Sequence, residues 1–147
     1  MEWLVQLQGQ VVGLDSAPLI YWIEENPTYL QITDSFFEAL MRDEFTVITS
    51  VITLSEVLVY PLRQGNPFLA QQYRDILLNS EKIVTLEVSS RIAEIAAQLR
   101  ADYNLRTPDA LQMATAISGG ATFFLTNDER LPMLPNCDVL VLEDLRD

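Results

Sequence analysis

Glu56 stands in the middle of VITLSEVLVY (51–60), a stretch that is apolar nearly all the way round a helix. A carboxylate buried there without a partner would be costly or would take up a proton. It needs a rim of solvent or something positive beside it. Three more acids fall where the pattern of the chain places the ends of elements. Asp15 closes the apolar run VVGLD, Asp109 opens a helix after Thr107-Pro108, and Asp128 follows the strand-like TFFLT. Four carboxylates in one pocket repel each other unless a cation neutralises them. Oxygen ligands of this kind suit Mg²⁺ or Mn²⁺, and such ions activate water and screen a phosphodiester under attack. Ser16 and Thr126 add hydroxyls at the same places, able to orient a carboxylate or a water.

Composition removes most other chemistry. The 147 residues include no histidine, which excludes Ser-His-Asp and Cys-His catalysis, paired-histidine nucleases and most zinc sites. The one cysteine, Cys137, allows neither an internal disulfide nor a CxxC site, which points to a reducing cytoplasm. The N-terminus, MEWLVQLQGQVVG, has no Lys or Arg, so it reads as neither a secretory signal nor a transit peptide. No apolar run approaches the length of a membrane span. Nine Lys and Arg stand against 21 Asp and Glu, a net charge of −12 that opposes nucleic acid at long range.

The elements that must hold these acids alternate along the chain. VVGLD reads as a strand. APLIYWIEEN is a helix with Pro18 near its first turn, and Tyr29 to Arg42 repeats apolar residues at helical spacing. FTVITS (45–50) is a strand, and Ser50 or Thr49 caps the helix that carries Glu56. Pro67 opens a helix running to about Ser80. KIVTLEVS starts as a strand, and SSRIAEIAAQLRADY places Ile92, Ile95, Ala96, Leu99 and Tyr103 on one helical face. Thr107 is expected to cap the helix DALQMATAIS, which stops at Gly119-Gly120. TFFLTND and DVLVLEDL are the last strands. Trp22, Tyr21, Phe36, Phe37 and Tyr60 read as core residues. Residues 1–9 precede this pattern as an extension, with Leu4, Val5 and Leu7 forming a short extra strand or packing on a neighbour. Strand–helix alternation over one domain of 1–147 argues for a parallel sheet covered on both faces. If the first strand and TFFLT are neighbours, Asp15 and Asp128 face one crevice at the carboxyl ends of the strands.

GLDSAPLIYWIE (13–24), TLSEVLVYPLR (53–63), RTPDALQMATAI (106–117) and FLTNDERL (124–131), in that order, resemble the PIN domain. The match is to the VapC-type toxin branch of toxin–antitoxin systems, over nearly the whole chain. The resemblance implies a three-layer α/β/α sandwich around a parallel five-stranded sheet, usually dimeric. It implies a Mg²⁺- or Mn²⁺-dependent endoribonuclease, with RNA as substrate and a cognate antitoxin as inhibitor. By it, Asp15, Glu56, Asp109 and Asp128 correspond to the acidic metal-binding quartet, and Thr126 to the hydroxyl residue before the last acid. Asp15, Asp109 and Asp128 would hold the metal, while Glu56 would orient or deprotonate the attacking water.

Each acid also has an ordinary explanation. Asp15 and Asp128 can be turn or cap residues, Asp109 can complement a helix dipole, and Glu56 can pair with Arg63. Positive groups for RNA are few. Arg106 and Arg130 flank Asp109 and Asp128 and are the leading phosphate contacts; Arg63, Arg100 and Lys82 are the others. A PIN-fold binding module with little or no nuclease activity is the rival reading. A phosphoacceptor receiver domain is excluded, because Asp15 has no adjacent acid and the only lysine, Lys82, precedes a strand.

Overall fold

A computed structural model describes residues 1–147. The elements in order are α1 (Glu2–Gln6), β1 (Val11–Leu14), α2 (Ser16–Ile23), α3 (Leu30–Met41), β2 (Thr46–Ser50) and α4 (Val51–Arg63). Then come α5 (Pro67–Arg74), a π turn (Asp75–Asn79), β3 (Ile83–Leu86), α6 (Ser90–Tyr103), α7 (Thr107–Ser118), β4 (Phe123–Thr126), β5 (Asp138–Val141) and a 3-10 turn (Leu142–Leu145). All five strands are parallel, in the order β3-β2-β1-β4-β5. The chain steps outward from β1 to β3, then returns to β1's other side for β4. The order therefore reverses at β1 and β4, and the crevice outside their carboxyl ends is the expected place for a site.

Two apolar layers sandwich the sheet. Val12, Leu14, Val47, Ile83 and Leu125 face a core shared with Leu19, Phe36, Phe37, Leu40 and Val57 of α2, α3 and α4. Phe124 and Val139 face the other way, onto Ile92, Ala96, Ala110, Met113 and Ala114 of α6 and α7. Gly13 lies under α7: a Cβ there would come within 2.5 Å of Ala116 Cβ and 2.8 Å of the Phe124 ring. The missing side chain lets α7 lie directly on the central strand. No helix is long and apolar enough to cross a membrane.

Several boundaries differ from those expected. Residues 2–6 are a short helix and not a strand, because Trp3, Leu4 and Leu7 recur at helical spacing; Leu7 is fully buried and Trp3 stacks on Phe36. Thr107 is not the cap of α7. The helix starts at Thr107 itself, Arg106 takes the cap position, and no side chain caps the turn. The helix from Pro67 loosens into the π turn after Arg74. DVLVLEDL is a strand only to Val141, where pairing with β4 ends at Thr126, and the rest curls into the 3-10 turn. Phe36 and Phe37 are core, and Tyr21 and Trp22 border it, but Tyr60 is 55% exposed.

Candidate active site

Three helices begin at the carboxyl edge of the sheet, and each brings one acid to it. Asp15 is the N-cap of α2, Glu56 lies in the second turn of α4, and Asp109 lies in the first turn of α7. Asp128 stands two residues past β4. The positive ends of the helix dipoles favour negative charge at this edge.

Asp15 is fixed from both sides of the reversal point. Its backbone N–H donates to the Leu125 carbonyl at 2.9 Å, extending the β1–β4 pairing. Its Oδ1 accepts the Ser16 N–H at 2.8 Å, and its Oδ2 accepts the buried Thr126 hydroxyl at 2.7 Å. Thr126 Oγ1 also accepts the Asp128 N–H at 3.0 Å, so one hydroxyl ties Asp15 to the loop that carries Asp128. Loss of solvation pushes the Asp15 carboxyl above its ordinary pKa. The bonds from Thr126 and Ser16 oppose that shift, while the charges of Glu56 and Asp109 add to it. No cationic side chain pairs with Asp15.

Glu56 reaches the rim of solvent. Its Oε1 accepts the Ser16 hydroxyl at 2.5 Å, and the Gln112 amide stands at 3.4 Å. Arg63 does not pair with it. Ser16 thus bridges the first two acids, donating its N–H to one and its hydroxyl to the other.

Gln112 and Thr53 were not anticipated. Gln112 is buried; its Nε2 donates to Thr53 Oγ1 at 2.5 Å and its Oε1 accepts the Ser50 hydroxyl at 2.6 Å. Ser50 also caps α4 by accepting the Ile52 N–H. Thr49 completes the chain, 2.8 Å from the Thr53 hydroxyl and donating at 2.8 Å to the Leu14 carbonyl. This buried network fixes α4 against α7 and against the end of β1, one residue before Asp15. The one trace of it in the sequence is Gln112 three residues after Asp109, on the same helix face, a spacing that does not by itself mark a buried residue.

Asp109 and Asp128 are turned toward arginines. Arg106 Nε donates to Asp109 Oδ2 at 3.0 Å. Arg130 grips Asp128 through two bonds of 2.9 Å and holds its carboxyl below the ordinary range. The four acids therefore share one edge, yet no three of them converge as a ligand set. The donor chemistry still fits a divalent cation. All donors are oxygens, and burial and two neighbouring acids disfavour the charged form of Asp15 with no cationic side chain to offset them. Of the other candidate phosphate contacts, Lys82 pairs with Asp43 at the opposite edge, Arg100 donates to the Leu105 carbonyl, and Arg63 forms no ion pair.

The PIN domain family model matches residues 12–135. No curated protein matches the chain significantly in sequence. Among solved structures, the fold is similar to VapBC2 from Rickettsia felis bound to a promoter DNA fragment: TM-score 0.68, 18% identity, covering 89% of this chain and 98% of that one. A toxin–antitoxin complex from Klebsiella pneumoniae gives TM-score 0.65 at 22% identity, covering 90% and 97%. VapC20 from Mycobacterium tuberculosis, a sarcin-ricin loop cleaving toxin, gives 0.61 at 15%, covering 78% and 86%.

Proposed function

The chain belongs to the PIN domain family, and on that premise we propose that it is a metal-dependent endoribonuclease, the toxin of a toxin–antitoxin pair acting in the cytoplasm. The observation that carries the reading is the Asp15–Ser16–Glu56 bridge, in which an uncompensated carboxylate is held beside a solvent-facing one. Asp15, Glu56, Asp109 and Asp128 would hold Mg²⁺ or Mn²⁺, which when bound would neutralise the acids and the charge developing on the phosphodiester. Ser16 and Thr126 fix the Asp15 oxygens. Glu56, held by Ser16 and Gln112, would orient a water and accept its proton. Arg106 and Arg130, both solvent-exposed, are the groups able to take substrate phosphates.

The similar solved structures include toxin–antitoxin complexes, which supports an antitoxin partner for this chain. Val59, Tyr60 and Leu62 expose an apolar strip on α4, the helix of Glu56, suited to such a partner or to a homodimer. Cleavage of RNA by the purified protein with Mg²⁺, with Mn²⁺ and with EDTA, beside Asp15→Asn, tests the reading. Metal-dependent cleavage absent from the variant is expected. Mn²⁺ binding without cleavage of any RNA would favour the rival, a PIN-fold binding module. The arginine pairing of Asp109 and Asp128 and the net charge of −12 are what speak for that rival.

A further inference from the structure

Two of the four acids have built-in countercharges and two do not. The pairing is lopsided in burial: the Asp109 and Asp128 side chains are 18% and 20% exposed, whereas Arg106 and Arg130 are 68% and 75% exposed. The carboxylates are anchored, Asp109 in the first turn of α7 and Asp128 through the Thr126-held backbone. The guanidiniums are solvated arms that lose few contacts on leaving. They also lie together. Both arginines line one cleft of about 150 Å³ that Asp109 and Leu131 share. The charge of Arg106 is felt by Asp128, and the charge of Asp109 by Arg130.

We propose, resting on the metal-dependent reading above, that Arg106 and Arg130 are exchangeable countercharges. Each competes with a divalent cation for its carboxylate and, once displaced, turns its guanidinium into the cleft to take a substrate phosphate. Exposed ion pairs are weak, so a divalent cation can displace them at two carboxylates, of which Asp109 is close enough to Asp15 for their charges to interact. A planar, bidentate donor is well matched to a phosphate. Cation and RNA then favour each other's binding, by the same factor in both directions. The arginines act in this scheme as substrate-binding residues.

Calorimetric titration of Mn²⁺ into the metal-free protein tests the exchange without turnover. The comparison set is wild type, Arg106→Gln, Arg130→Gln, Arg130→Lys and Asp15→Asn. Removing either guanidinium should tighten Mn²⁺ binding about two- to five-fold, the yield of an exposed pair. Arg130→Lys keeps the charge and should stay near wild type, and Asp15→Asn should lose the binding. Fluorescence anisotropy with a cleavage-resistant 2′-O-methyl RNA supplies the second arm. Mn²⁺ should strengthen RNA binding to wild type and not to a variant carrying both Arg106→Gln and Arg130→Gln. Wild type that binds Mn²⁺ through Asp15 while both glutamine variants bind it equally or more weakly overturns the exchange and leaves the metal site standing. Wild type that binds no Mn²⁺ overturns both. Melting curves in EDTA accompany each variant. If Arg130→Gln fails to fold, Arg106→Gln decides the matter.

Discussion

Asp15 is an acid whose ionised form the fold resists. Burial raises its pKa first, and repulsion from Glu56 and Asp109 adds to the shift. A carboxyl raised in the folded protein contributes stability below its unfolded pKa, and that contribution is lost as pH rises through the raised value. In EDTA at neutral pH, Asp15→Asn should therefore melt above wild type. The gap should narrow as pH falls through the raised value toward about 4. A melting series across that range checks the sign; a variant that melts lower at neutral pH would refute the account. Asp128 behaves oppositely. Arg130 lowers its pKa, so its contribution is present above about 4 and lost only as pH falls through the lowered value. Glu56→Gln keeps an acceptor for Ser16 and should fold normally while losing nearly all cleavage. Retained activity with a large fall in melting temperature would reverse the assignment. Glu56 was legible because a lone acid interrupts an apolar helix. Gln112 was not, since a glutamine among apolar residues looks like a solvent-facing one until α4 is seen to cover it with Thr53 and Ser50.

The elements matter through two contacts near the acids. Gly13→Ala would drive a methyl into Ala116 Cβ and the Phe124 ring, neither of which can swing aside. A loss of about 1–3 kcal/mol is expected by denaturant unfolding. Activity should fall too, because β1 carries Asp15 two residues on. Gln112→Leu would strand the Ser50 hydroxyl, leave Thr53 with Thr49 as its one side-chain partner, and cost about 1–3 kcal/mol, with Glu56 less well oriented. An unchanged unfolding midpoint would show that water replaces the amide. The strands and long helices were readable from alternation and periodicity. Their ends were not, since each end is decided by a partner: β5 stops where β4 stops, and Leu7 turns inward because the core has room for it.

At the scale of the molecule, the proposed RNA binding would have to rest on a few arginines, because the net charge is −12. If Arg106 and Arg130 carry the phosphate contacts, the logarithm of RNA affinity should fall with the logarithm of salt at a slope of about −1.4, two contacts at roughly −0.7 each for a single strand. A slope twice as steep would reveal a basic surface outside the site. Strand alternation disclosed a covered parallel sheet; it carried no information about strand order, which depends on β1 choosing β4 across most of the chain. That choice has a consequence in time. Asp15 and Glu56 leave the ribosome early, but Thr126 and Asp128 come near the end, and Asp15 has its second anchor only when β4 lies beside β1. A nascent or prematurely terminated chain that stops before β4 leaves β1 as a bare edge and the acids unassembled. If the folded chain is the nuclease proposed above, a growing polypeptide of this kind would be unable to cut the RNA around it.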